Sequence, residues 1–306
     1  MTIMNGAYIN GLDDVTTNLK TTEQAVGTAT TDYILFSLTV HDATTGDIYY
    51  GLGNNVVATK GAVTLAAAEI LAPVVTAGVT KGNCTRVWLS LGGAGTSTFA
   101  NISTILENGG APAAYLIGNL AALASSLKAL SSKITAVGFD MDNEEPPISA
   151  VVALVVALYK HGIAQSPAVE YPFTFCAYDD DNSWFDALAS VYSGLNGIQP
   201  VVGITLQTYA GGGGNHPTAW TNDLAAYLRN PDNQPTGLSS ADGFILPIQS
   251  LDNTAPPTYP PSQMTSNLET WQSTGGSFWA TQALFQSSPA QQWSAYASAI
   301  ASGISS

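Results

Sequence analysis

The 306-residue chain carries 8 Lys and Arg against 22 Asp and Glu, a formal charge of −14 at pH 7, and 45% of its residues are apolar while 10% are charged. That apolar share is too high for a disordered chain, and at this length it can build a substantial core. Eight scattered cations on an acidic protein cannot neutralise a run of phosphates or settle on an anionic bilayer, which argues against nucleic acid and membrane surfaces as partners.

From the N-terminus, Ile3–Asn10 and Tyr33–Val40 read as strands, rich in β-branched and aromatic residues. Thr64–Ala77 reads as a helix, Arg86–Leu91 as a strand and Ala113–Leu130 as a helix. The alternation continues with strand Ile134–Met141, helix Ile148–Lys160, strand Pro172–Ala177 and helix Trp184–Tyr192. Strand Val201–Thr208, helix Ala219–Leu228, and strands Gly243–Ile248 and Gly275–Ala280 follow. Ser288-Pro289-Ala290-Gln291 predicts the start of a closing helix, with a Ser cap, Pro at the first helical position and Gln at the third.

Eight strands separated by helices imply crossover connections and a parallel sheet. The expected α/β fold is one closed (β/α)8 TIM barrel over residues 1–306, since no composition break marks a second domain. An open doubly wound sheet is the runner-up. It usually carries a glycine-rich phosphate loop after its first strand, and Asn5-Gly6 and Gly11-Leu12-Asp13-Asp14 offer none. The Gly- and Pro-rich loops Gly211–Pro217 and Asp252–Gln263 can shape a site rim. The longest apolar stretch, Ile148 to Tyr159, falls short of the roughly 20 residues that span a bilayer. Cys84 and Cys176 lie at or in apolar runs and read as buried free thiols. Low charge with much Ala, Ser, Thr and Gly suggests an extracellular protein, although MTIMNGAYING shows no secretory signal, so a cytoplasmic location stays open.

The most informative segment is Val137-Gly138-Phe139-Asp140-Met141-Asp142-Asn143-Glu144, at the end of the fourth predicted strand. Side chains alternate along a strand, so Asp140, Asp142 and Glu144 share one face and Phe139 and Met141 the other. In a barrel the acidic face points inward and Glu144 reaches the C-terminal mouth, where such barrels keep their active sites. Three carboxylates within about 14 Å of strand cannot all ionise comfortably away from bulk water, so at least one pKa should rise. A carboxyl that stays protonated near neutral pH is what general-acid catalysis requires. A solvated strand end and a divalent-cation site are the other readings of the same residues.

The octet resembles the D-G-x-D-x-D-x-E motif of family-18 glycoside hydrolases, the chitinases. Trp88-Leu89-Ser90-Leu91-Gly92-Gly93 resembles that family's S-x-G-G on strand 3, and Gln207-Thr208-Tyr209 resembles the Q-x-Y of strand 6 in its hevamine-like branch. Leu246-Pro247 with Tyr259-Pro260-Pro261 resembles the seventh strand and its loop, and Gly275-Gly276-Ser277-Phe278-Trp279 the eighth. The resemblance covers most of the chain, in order. It implies retaining hydrolysis of β-1,4-linked N-acetylglucosamine polymers, chitin or chitooligosaccharides, by a substrate-assisted route without metal or organic cofactor. Glu144 would be the general acid and base, Asp142 would orient the acetamide, and Asp140 would share a proton with Asp142. Tyr209 would hydrogen-bond the acetamide oxygen with Gln207 beside it, and Trp279 would floor the sugar. Tyr178, just after the fifth strand, and Tyr259 could line the cleft. The lack of room for an inserted domain favours endo action. An endo-β-N-acetylglucosaminidase acting on glycans, and a non-catalytic chitinase-like lectin or inhibitor, are the rival readings.

The chain departs from the motif at Val137, where the family has its first Asp. In the family that residue lies deeper in the barrel and relays charge to the next Asp, so an altered pH dependence is expected here. Asn143 replaces a Trp or aliphatic residue and should face away from substrate, and Ala210 replaces the Asn that follows Q-x-Y. The spacing from Gly275-Gly276 to Trp279 is one residue shorter than usual.

Other signals have plainer readings. Asp179-Asp180-Asp181-Asn182 lacks the Gly and Glu of a calcium loop, with Trp184 and Ser190 in their places, and suits a helix cap at Asn182 or Ser183. Gly211 to Gly214 is followed by Asn215-His216 and not by the Lys of a phosphate-binding loop. His41, His161 and His216 lack zinc spacing, and no G-x-S-x-G elbow occurs. Trp184 and Trp220 could stack on sugars, but ordinary packing explains them equally well.

Overall fold

Strands buried on both faces need apolar side chains on both, and the eight runs identified in the sequence supply them. The computed structural model describes residues 4–10, 28–51, 53, 55–252, 255–286 and 292–304. The chain forms β1 (Asn5–Ile9) and β2 (Asp32–Thr39), then a short excursion of β3 (Ile48–Tyr50), β4 (Asn55–Thr59) and β5 (Ala62–Val63). Next come β6 (Arg86–Gly92), β7 (Ala136–Asp142), β8 (Phe173–Ala177), β9 (Val201–Gln207), β10 (Ile245–Ser250) and β11 (Gly276–Trp279). The sheet runs in the order β1-β11-β10-β9-β8-β7-β6-β2, and β1 pairs in parallel with both β2 and β11, which closes an eight-stranded barrel. The expected (β/α)8 architecture is therefore present, and each of the eight predicted strands is one of its staves.

Helices α1 (Leu65–Lys81), α2 (Thr98–Asn108), α3 (Gly110–Lys128), α4 (Ile148–Ile163) and α5 (Asp181–Gly194) cover the outside, followed by α6 (Pro217–Arg229), α7 (Pro261–Trp271), α8 (Ala283–Gln286) and α9 (Trp293–Gly303). Besides the four-residue α8, two of them, α2 and α7, have no counterpart in the sequence reading. Their polar content gave no apolar run, and each buries only a few residues, such as Ile102 and Ile105 or Met264 and Leu268. The antiparallel excursion β3–β5 was also unforeseen, because its strands are short and half-exposed. It continues the sheet outward from β2. The predicted cap at Ser288-Pro289-Ala290-Gln291 and the residues Ile3 and Gly11-Leu12-Asp13-Asp14 lie outside the described residues.

Helix α3, with mean hydropathy 1.2, is long and apolar enough to cross a membrane, a feature that Ile148–Tyr159 as the longest apolar stretch had not suggested. Here it lies on the barrel with Leu116, Leu120, Leu123 and Leu127 buried. Cys84 and Cys176 are buried free thiols, as expected.

Two apolar layers result. The larger lies between strands and helices and includes Phe139, Met141, Phe173 and Phe175. The smaller fills the barrel interior with Met4, Tyr8, Ile34, Trp88, Cys176, Tyr209, Leu246 and Ile248. Val137 belongs to the helix-side layer, 6% exposed. The expectation that position 137 sits inside the barrel and feeds charge to Asp140 is thus corrected. Three residues along a strand is an odd step, so the two side chains point to opposite faces.

Candidate active site

Strand β7 is held between β6 and β8, with Asp140 opposite Ser90 and Thr174, and Asp142 opposite Gly92 and Cys176. This register brings inward side chains of neighbouring strands onto Asp140. Its Oδ2 accepts the hydroxyls of Tyr8 (3.1 Å) and Ser90 (2.8 Å), and its Oδ1 accepts those of Thr174 (2.6 Å) and Thr205 (2.9 Å). Asp140 is fully buried. Burial raises its pKa, and the four hydroxyl donors pull it back towards the anion.

Asp142 lies one step further up the strand and is 3% exposed. Its pKa is pushed well above the ordinary carboxylate range, by burial first and then by the charges of Glu144 and Asp140, against the hydrogen bonds of Cys176 and Gln207. Glu144 stands half-buried at the mouth, also raised by burial and opposed by hydrogen bonds from Gln207 and the Ala94 backbone. Gln207 Nε2 bridges the pair, 3.1 Å from Glu144 Oε1 and 3.2 Å from Asp142 Oδ1. The arrangement holds one outer carboxyl that can carry a proton, and an inner one whose proton affinity is raised by the same crowding. Among the described residues no hydrogen bond joins Asp140 to Asp142; both Asp140 oxygens are occupied by hydroxyls.

Close approach of β6 to β7 is allowed by Gly92 and Gly93, both at positive φ (105° and 95°). A Cβ on Gly92 would stand 2.2 Å from the Asp142 carbonyl oxygen, and one on Gly93 2.7 Å from the Phe36 ring. The S-x-G-G segment therefore places Ser90 on Asp140 and leaves room above Asp142.

An aromatic group adjoins the carboxylates. Tyr209 and Trp279 lie parallel, centroids 6.1 Å apart and planes 10° apart, and Trp279 meets Phe36 edge-on at 4.6 Å and Tyr8 at 5.7 Å. Trp279 keeps partial exposure. Among the described residues the Tyr209 hydroxyl has no hydrogen-bond partner. On the other side of Glu144, a cavity of about 210 Å³ is lined by Glu145, Tyr178, Asp179 and Trp184. Asn143 lines it too, its Oδ1 accepting the Glu145 N–H. The loop after β9 is pinned by Asn215, whose Nδ2 donates to the carbonyls of Tyr178 and Gln207.

The structure thus brings together Glu144, Asp142, Asp140, Gln207, Tyr209, Trp279 and, at the rim, Tyr178. It does not bring in Tyr259, which packs against the helix-side layer while its backbone N–H bonds Ser250. Trp220 is buried against Phe185 and is a packing residue, while Trp184, packed on Phe175, also borders the cavity beside Glu144. Helix α5 begins at Asp181, so its N-cap position is Asp180 and not Asn182 or Ser183; Ser183 Oγ donates to the Asp180 carboxylate at 2.5 Å. Among the described residues no group of three His, Cys, Asp or Glu side chains is arranged to hold a metal ion.

Neither a protein-family model nor a curated protein sequence matches this chain. Solved structures do. The catalytic domain of a GH18 chitinase from the fern Peteris ryukyuensis superposes with a TM-score of 0.57 at 14% identity, over 98% of this chain and 99% of that one. The fold is that of the family-18 chitinases. The chitinase-like agglutinin RobpsCRA of Robinia pseudoacacia gives 0.58 at 8% identity (98% and 99% covered), and the spore cortex-lytic enzyme SleL of Bacillus cereus 0.57 at 12% (98% and 74%). On this barrel the acidic run ends the fourth stave, and the residues that sequence reasoning missed are its neighbours on the other staves: Tyr8, Phe36, Thr174, Cys176 and Thr205. The parity of Thr205 with Gln207 was the one local signal, since residues two apart on a strand share a face.

Proposed function

We propose that this chain is a retaining glycoside hydrolase that cleaves β-1,4-linked N-acetylglucosamine polymers by substrate-assisted catalysis, and does so within the chain. The observation that carries the reading is the half-buried Glu144 carboxyl, with raised proton affinity, bridged through Gln207 to Asp142 at the barrel mouth. Glu144 would protonate the glycosidic oxygen. The acetamide carbonyl of the sugar would attack the anomeric carbon, and Asp142 would hold the acetamide N–H and balance the positive oxazolinium ion. The open Tyr209 hydroxyl suits the acetamide oxygen, and the Trp279 face suits the sugar ring. Water activated by Glu144 would then open the intermediate and restore the anomeric configuration. Four hydroxyls hold Asp140 beneath Asp142 and oppose the rise in its proton affinity that burial causes.

A GH18 chitinase from Cycas revoluta, TM-score 0.57 at 11% identity, was crystallised as a mutant with (GlcNAc)4, which supports such oligosaccharides as ligands here. The agglutinin favours a second reading, a sugar-binding protein without turnover. Hydrolysis of a fluorogenic chitooligosaccharide decides. Wild type should turn it over, and Glu144→Gln should lose about 10²–10⁴-fold in kcat while still binding the sugar, because only the transferable proton is removed. Binding by wild type without turnover across the pH range supports the lectin reading instead.

A further inference from the structure

At the end of the barrel opposite Glu144 lies a larger hollow, about 550 Å³, walled by residues at the starts of all eight barrel strands. A (β/α)8 barrel is ordinarily filled there by layers of branched side chains. This one places glycine at inward positions of β7 and β9. A Cβ on Gly138 would stand 2.6 Å from the Trp88 ring, and one on Gly203 2.8 Å from Leu246. Trp88 and Leu246 therefore lie across those glycines and roof the hollow, separating it from the carboxylates above.

The wall chemistry defines what fits. Met4, Trp88, Pro172, Val202 and Leu246 give apolar surface. Arg86 is the one charged side chain among the lining residues, and its charge is already met: Nε and Nη2 each lie 2.6 Å from the buried Asp32 carboxylate. Asp32 also accepts from Trp88 Nε1 at 2.8 Å and Thr31 Oγ1 at 2.6 Å. An ionic guest would thus be desolvated without gaining a counter-charge. Four of the five lining threonines, Thr31, Thr135, Thr174 and Thr274, spend their protons inside the protein. Thr135 donates to the Thr85 carbonyl, Thr274 to the Gly243 carbonyl and Thr174 to Asp140. What these four offer a guest is lone pairs, so a guest that brings its own donor is favoured. The volume lies within the range of small-molecule sites, which are mostly apolar with a few placed polar groups.

We propose that this hollow is a second binding site, for an uncharged, mainly apolar small molecule that carries an N–H or O–H donor. The site does not rest on the hydrolase reading: it opens at the other end of the barrel from Glu144, and of its lining residues only Thr174 reaches a carboxylate of the mouth, through Asp140.

The probe is N-phenyl-1-naphthylamine, uncharged with one N–H, whose fluorescence rises in apolar surroundings. The control is 1-anilinonaphthalene-8-sulfonate, the same aryl amine bearing an anionic group. The hollow is narrowed from its rim by Val202→Trp, at a side chain 38% exposed, and separately by Ala136→Leu, also solvent-accessible. Thermal unfolding of each variant confirms its fold. Saturable binding of one uncharged probe per wild-type chain is expected, with affinity at least about tenfold lower in each folded variant and for the sulfonate. Failure of the uncharged probe to saturate wild type, equal affinity in both variants, or a sulfonate that binds as tightly would overturn the proposal.

Discussion

Burying Asp142 between Asp140 and Glu144 raises its proton affinity, so the folded state resists its ionisation where the unfolded chain does not. The sign follows from linkage. A carboxyl raised on folding costs nothing below the unfolded value of 3.8, and folding stability falls as pH rises from there through the raised value. Asp142→Asn should therefore raise the melting temperature by a few degrees at pH 8 and lose that gain at pH 3, as thermal unfolding at both pH values would show. Gln207 acts on the same pair from the other side. Its amide donates to both carboxylates and favours their charged forms, so Gln207→Leu should move the alkaline limb of kcat/KM upward, by up to about one pH unit, as the general acid keeps its proton longer. An unmoved limb in an active Gln207→Leu would show that Glu144 does not govern it. At this scale the sequence revealed the acids, because they lie two apart on one strand. It did not reveal the cradle of Asp140: Tyr8 is 132 residues away and Thr205 is 65 residues away, and only barrel closure makes them neighbours. The misplacement of Val137 came from reading the octet as one unit, when strand parity already put it on the helix side.

Elements were legible where burial is continuous. The eight staves announced themselves as apolar runs, whereas α2, α7 and the β3–β5 excursion carry mixed polarity and could not. That excursion is tied down by α3 through Asn119, which is fully buried. Its Oδ1 accepts the Gly61 N–H and its Nδ2 donates to the Gly46 carbonyl, both at 2.7 Å. Asn119→Ala removes both bonds and leaves two backbone groups short of partners, so it should cost about 2–3 kcal/mol in urea unfolding. Within the barrel, Gly138 is fixed by the strand behind it. An added methyl would meet the Pro172 carbonyl oxygen at 2.7 Å as well as the Trp88 ring, and a backbone atom cannot step aside. Gly138→Ala should destabilise by about 1–3 kcal/mol in the same measurement.

Across the whole molecule, negative charge is nearly unopposed. Against a formal charge of −14, one salt bridge, Arg86 with Asp32, is found among the described residues. Self-repulsion should therefore yield to screening, and moderate salt should raise the melting temperature at pH 8; a melting temperature that falls with salt would show that attractive pairs dominate. The same charge has a practical corollary. With an isoelectric point near 4.2, mild acidification carries the protein towards its least soluble state. Glu144, whose proton affinity is raised by burial, takes up its proton while most surface carboxylates are still charged and the molecules still repel one another. Solubility should therefore fall only below the range in which that carboxyl titrates, as light scattering followed against pH would show.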